Sequence, residues 1–255
     1  MSVEQKKEFI RVALRELESP TSPLSAYEAM KTLHQAVVHD FNDEDGPIGA
    51  FVGDDEFKVE IFAARVIRVV MDVSEDNEAF PPNFYHLACG ILSLLCWDNT
   101  ELSNAFVANS GVEFLLEYLE AFSSDRFLLI TCFGLHRAIS KSLDDNESAA
   151  FKGMTLTKIV DVFELNSETQ DEHFYRRYCY SVGSSFGPGR EVNNNLFQRI
   201  VSHIWHGVIK HRHDEEAQET GRSLLSYLVG NENAKEMIDH AEMHHCEDEG
   251  CAGCA

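Results

Sequence analysis

The chain predicts an all-α fold of stacked helices, and three observations carry that prediction. No segment shows a sustained apolar–polar alternation of period two, the mark of a half-buried strand. Apolar residues recur instead at helical spacing, in blocks separated by Pro, Gly, Asn, Asp and Ser. One helical pattern also repeats along the sequence at a nearly constant interval.

The helices follow in order. Val3–Glu18 carries Phe9, Val12, Ala13 and Leu17 as an apolar stripe, and Ser19-Pro20-Thr21-Ser22-Pro23 breaks it. Leu24–His39 is the second helix, striped by Tyr27, Met30, Leu33 and Val37. An acidic, glycine-containing loop spans residues 40–56, and Phe57–Val73 is a strongly apolar helix. Pro81-Pro82 suits the start of the next helix, where the missing N–H costs nothing.

Phe84–Trp97 is that helix. Thr100 and Ser103 suit the cap of a short helix after Asp98-Asn99, and Gly111 suits its left-handed end. Val112–Phe122 and Phe127–Lys141 follow. A short helix, Asn146–Lys152, is expected to end at Gly153, before Thr155–Leu165. Phe174–Phe186, Val192–His211, Glu215–Val229 and Asn233–His244 complete the series, ahead of the tail CEDEGCAGCA.

The repeat is specific in its columns. Phe84, Cys89, Leu92 and Cys96 recur 43 residues on as Phe127, Cys132, Leu135 and Ile139. They recur 47 residues further as Phe174, Cys179, Val182 and Phe186. Gly111 and Gly153 repeat the interval at 42 residues. Such a period marks helical repeats, whose units bury their apolar faces only by stacking on neighbours.

Here the chain resembles the armadillo-repeat superfamily. The stretch NTELSNAFVANSGVEFLLEYLEAF has that family's short first helix, Gly and Leu-rich second helix, with a third helix after it. The resemblance implies a right-handed α-solenoid, or superhelix, over residues 1–245 with about four full repeats plus partial caps, followed by a Cys-rich tail at 246–255. It implies a concave face lined by third helices (Leu24–His39, Phe84–Trp97, Phe127–Ser140, Phe174–Phe186 and Glu215–Val229) that holds a peptide or partner protein. Candidate partner-binding residues on those helices are His86, Ser93, Trp97, His136, Arg137, Ser140, Arg176, Arg177 and Tyr180. The Trp-x-x-x-Asn ladder with which the importin-alpha branch reads basic import peptides is absent.

The formal net charge is -22, from 43 Asp and Glu against 21 Lys and Arg. That argues against nucleic acid, which needs a basic face, and favours a basic partner. Met1–Ser19 lacks the unbroken apolar core of a secretory signal, and no segment has the length of apolar residues that spans a membrane. Cys89, Cys96, Cys132 and Cys179 lie inside apolar patterns and read as small core residues of a protein in a reducing, cytoplasmic or nuclear compartment.

The expected function is therefore a non-catalytic protein-interaction scaffold. An alternative rests on the tail. His240, His244, Cys246, Cys251 and Cys254 offer imidazole and thiolate ligands for Zn, with His240 and His244 one helical turn apart. A metal-binding or redox-responsive protein would act there. The catalytic motifs fail in context. Gly183-Ser184-Ser185-Phe186-Gly187 matches a nucleophile elbow, but a helix rather than a strand should precede it. His240-Ala-Glu242-Met-His244 places its Glu one position late for a zincin. The remaining histidine set, His203, His206, His211 and His213, reads as scattered surface residues.

Overall fold

A computed structural model of the chain describes residues 3–41, 67–72, 80–143, 145–166, 171–186 and 193–238. The described residues are helical with no strand. The helices are α1 (Val3–Glu18), α2 (Pro23–Phe41), α3 (Pro82–Cys96), α4 (Thr100–Ala108), α5 (Gly111–Ala121), α6 (Arg126–Ser142), α7 (Asp145–Leu165), α8 (Glu172–Gly183), α9 (Asn194–Lys210) and α10 (Glu215–Val229). Residues 67–72 and 231–238 are also helical. No helix among the described residues is long and apolar enough to cross a membrane.

Helix starts follow from side-chain caps. Asp125, Asp171 and Asp214 each accept the backbone N–H three residues on, at 3.1, 2.8 and 2.7 Å, and so open α6, α8 and α10. Asn99 does the same for α4 through the Leu102 amide at 3.0 Å. The cap is thus Asn99 rather than Thr100. Ser103 is buried, and its hydroxyl donates to the Cys96 carbonyl, tying α4 back onto α3. Pro82 opens α3 as the first helical residue.

The chain forms two compact units, Met1–Lys158 and Ile159–Ala255. In the first, α1 packs on α2, α2 on α3, and α3 on α6, so α2, α3 and α6 lie side by side in chain order. Helices α4 and α5 join them, in contact with α6 and with each other. The core buries Leu14 and Leu17 of α1, Met30 and Leu33 of α2, and the inner faces of α3 and α6. Each large apolar side chain so buried contributes roughly 1.5–3 kcal/mol. An aromatic chain runs through it. Phe80 stacks on Phe84 at 4.2 Å between ring centroids, Tyr85 meets Tyr118 edge-on at 5.5 Å, and Phe114 lies 4.2 Å from Tyr118. In the second unit, α8 and α9 both pack on α10, and Phe163 from the end of α7 stacks on Tyr178 at 3.6 Å.

Several expectations are corrected. The buried stripe of α1 is Ile10, Ala13, Leu14 and Leu17, whereas Phe9 and Val12 are both 53% exposed. Helix α7 is continuous across Gly153, so the break expected there does not occur. Nothing forces one: a lone Gly weakens a helix without ending it. The left-handed residue between α4 and α5 is Ser110, at φ 63°, and not Gly111. Gly111 is needed for space, because a Cβ there would overlap the Phe106 ring. The Phe column of the repeat also breaks: Phe84 and Phe174 are fully buried, but Phe127 is 78% exposed near the start of α6. The Cys column holds, with Cys89, Cys132 and Cys179 all buried.

Candidate functional site

The outer faces of α2, α3 and α6 form the surface to which the first unit brings its candidate residues. On α3 the residues left at least partly open include His86, Leu87, Gly90, Ser93 and Leu94, with Trp97 capping the end. On α6 they include Phe127, Ile130, Thr131, Gly134, Arg137 and Lys141. The helices are in register across this face. His86 Nδ1 lies 2.7 Å from Thr131 Oγ1. A Cβ on Gly134 would sit 3.7 Å from Ser93 Oγ, and one on Gly90 would sit 3.1 Å from His34 Nε2 of α2. At the far end Arg137 lies over the Trp97 ring, 4.9 Å from its centroid, and the Lys141 ammonium lies 5.3 Å from it.

Of the expected contact residues in this unit, His86, Ser93, Trp97 and Arg137 fall on the face. His136 does not. It is fully buried, stacks on Phe151 at 5.3 Å, and shares a 3.3 Å hydrogen bond with Ser140, itself 2% exposed. The Phe151 ring of α7 covers His136, so this polar residue of α6 is enclosed. Sequence reasoning passed over His34, Gly90, Thr131, Gly134 and Lys141. One signal pointed to them: α3 and α6 contain no Asp or Glu in a chain that has 43. Carboxylates flank both helices in the sequence, among them Asp98, exposed in the turn after α3, Asp125, occupied as the α6 cap, and Asp144 and Asp145 after α6. Burial, and then the neighbouring His86, hold the His34 imidazole below its ordinary pKa.

In the second unit, Arg176, Arg177 and Tyr180 share the outer side of α8. Arg176 forms an ion pair with Glu216 of α10, and the Tyr180 hydroxyl accepts a 3.3 Å hydrogen bond from Thr220. Beside them a polar cluster ties α7, α8 and α9 together. Arg199 binds Glu164 at 2.7 and 2.8 Å and Asp161 at 2.6 Å. His203 lies 3.0 Å from Glu164 through Nε2 and 3.2 Å from the Tyr178 hydroxyl through Nδ1. The hydrogen bonds from Arg199 hold the Glu164 carboxyl below the usual carboxylate range. His203 is held low as well, because its burial outweighs the attraction of Glu164.

The other histidines of the set diverge. His206 bonds back to the Ser202 carbonyl at 2.7 Å, His211 stacks on Tyr175 at 5.2 Å, and His213 is exposed. Among the described residues no group of three or more His, Cys, Asp or Glu is placed to hold a metal ion. The expected zinc ligands His240, His244, Cys246, Cys251 and Cys254 lie outside the described residues. Ser185 is fully buried at the end of α8 and bonds to the Ser181 carbonyl, so it presents no nucleophile to a substrate.

The core thiols are equally enclosed. Cys89 and Cys132 touch at 4.0 Å between sulfurs, and that hydrogen bond together with burial raises the Cys89 thiol well above its ordinary range. Burial pushes Cys96 and Cys179 up to about 12. Thiolate is the reactive form, so these groups are packing atoms rather than nucleophiles.

No protein-family model, curated protein or solved structure matches the chain.

Proposed function

We propose that the chain is a non-catalytic interaction scaffold of armadillo-like stacked helices, holding an extended peptide or partner helix on the outer face of α2, α3 and α6. One observation carries the reading. Three helices expected to occupy the equivalent third position of successive repeats pack side by side, and their open positions are in register from His34 to Gly90 and from His86 to Thr131. Gly90 and Gly134 face the neighbouring helices, where a Cβ would crowd His34 of α2 and touch Ser93 of α3, so small residues let the three helices pack closely across this face. Trp97 and Arg137, stacked at one end, belong to the residue types that anchor interfaces. The same proposal assigns the protein to a reducing compartment, cytoplasmic or nuclear, because four of its cysteines are free and buried.

The test is site-directed photo-crosslinking in the full chain. A photoreactive residue replaces His86 or Lys141 on the proposed face, or Glu113 or Glu117 on the exposed side of α5. Crosslinks to one discrete partner from the first pair only are expected. Equal capture from both pairs would end the assignment of this face.

A further inference from the structure

We infer that the pocket between Trp205 of α9 and the helical residues 231–238 binds an alkylated ammonium group, the head of a methylated lysine side chain on a basic partner. The pocket belongs to the second unit and stands independently of the α2–α3–α6 face.

Trp205, Asn233, Glu236 and Met237 line a pocket of about 370 Å³. Its aromatic wall is held in place. The Trp205 indole N–H donates to the Met237 carbonyl at 3.2 Å, which ties α9 to the following helical segment. His206 packs edge-on against the indole at 4.6 Å between centroids, and its Nδ1 bonds to the Ser202 carbonyl at 2.7 Å. An indole has one polar hydrogen, and here it is used. What the ring offers a ligand is therefore its π surface.

The opposite wall supplies acceptors. Asn233, Glu236 and Met237 are spaced i, i+3, i+4, so they share one side of their helix. Glu232 lies one turn before Glu236, on the flank of that side, whereas Lys235 projects from the far side. The Asn233 amide nitrogen donates to the Val229 carbonyl at 2.8 Å, so the oxygen is the pole turned away from that bond. No cationic side chain is among the described lining residues.

This combination selects its ligand by elimination. Glu236 repels an anion. A neutral apolar group would strip water from that carboxylate and return nothing. An unmodified lysine ammonium is compact and strongly hydrated, so it gains little from an apolar wall. An alkylated ammonium keeps the charge for Glu236 and the ring face, and lays methyl groups on Trp205 and Met237.

The surrounding charge points to a basic chain as the carrier. Residues 231–249 contain seven Asp and Glu against one lysine, Lys235, together with His240, His244 and His245. Such a field draws a lysine-rich segment more strongly than a small ion of one charge. A methylated lysine side chain is favoured over a free small cation for that reason.

Isothermal titration calorimetry on the full chain, with EDTA present to keep metal ions out, tests the site. The probes are a short Lys/Ser peptide with a trimethylated central lysine, the unmodified peptide, and the peptide carrying the neutral tert-butyl isostere of the trimethylated side chain. The trimethylated peptide should bind about tenfold more tightly than either of the others. Trp205→Phe should weaken that preference. Glu236→Gln, at an exposed position, should weaken it with unchanged circular dichroism, and keeps the test standing if the Trp205 variant fails to fold. Equal affinity for the trimethylated and unmodified peptides would reduce the effect to net charge and overturn the inference. Equal affinity for the trimethylated peptide and its neutral isostere would overturn it too, leaving an apolar groove. Undiminished preference in Glu236→Gln, or no binding of any probe, would remove the site. Tetramethylammonium binding as tightly as the trimethylated peptide would replace the basic partner with a small cation.

Discussion

The Tyr175 hydroxyl donates a 2.8 Å hydrogen bond to the Ile204 carbonyl, and its ring fills the space that Cβ atoms on Gly207 and Gly221 would need. One tyrosine of α8 is thereby seated against both α9 and α10, and two glycines exist to admit it. Gly207→Ala should destabilise the second unit by roughly 1–3 kcal/mol, the usual cost of overpacking. Gly134→Ala is the control. Its Cβ would meet nothing nearer than Ser93 Oγ at 3.7 Å, an ordinary contact. Urea denaturation of the two variants checks the contrast, and an equal midpoint for both would remove the wedge.

Acidification should weaken the fold through the cluster on Arg199. Glu164 is depressed by its hydrogen bonds from Arg199, so its contribution is complete above the unfolded carboxylate value and is lost as pH falls through the folded value. His203 is also depressed from 6.5, first by burial, with Arg199 and His206 adding to the effect and Glu164 opposing it. Protonation therefore favours the unfolded chain, and stability declines once pH drops below that ordinary value. His34, His173 and His211 are shifted in the same direction, so the slope is shared. His203→Gln should reduce, without abolishing, the fall in the urea midpoint between about pH 7.5 and pH 5.5. An unchanged slope would show that His203 titrates alike in both states.

The turn between α4 and α5 separates two reasons for keeping a small residue. Ser110 occupies the left-handed region at φ 63°, where an L side chain costs about 1 kcal/mol. Ser110→Gly should therefore raise stability, by somewhat less than about 1 kcal/mol after the added freedom of the unfolded chain. Gly111→Ala should lower it by roughly 1–3 kcal/mol, because the new methyl collides with Phe106. Thermal melting of the pair decides the matter. If the left-handed role belonged to Gly111, Ser110→Gly would bring no gain.

These cases show what the sequence could and could not reveal. Helix existence was legible because apolar spacing and Asp, Asn and Pro starts are local signals, and Pro82 and Asp214 open their helices as such residues should. The buried side of a helix is a tertiary choice. On α1, Phe9 and Val12 compete with Ile10, Leu14 and Leu17 for the core, and α2 packs against the second set. Burial of His136 likewise depends on a tertiary neighbour, Phe151 of α7, which no local pattern encodes. The Cys column was readable because each of its members is a small core atom. The lack of Asp and Glu within α3 and α6 was present in the sequence too, but it acquires meaning only when the two helices are seen to be adjacent.

Gly153 offers the most direct test of the helix that local reasoning divided. It lies inside the 21-residue α7, and a Cβ added there meets nothing within 4 Å. Its φ is not in the positive region that L side chains avoid. An alanine would then lose less backbone freedom on folding than glycine does, at no steric cost. Gly153→Ala should stabilise the protein by about 0.4–1 kcal/mol, visible as a higher melting temperature with unchanged far-ultraviolet circular dichroism. Were the chain to bend at Gly153, as armadillo-like spacing expects, the glycine would be serving a turn. The same substitution would then lower the melting temperature, and the continuous helix would be refuted.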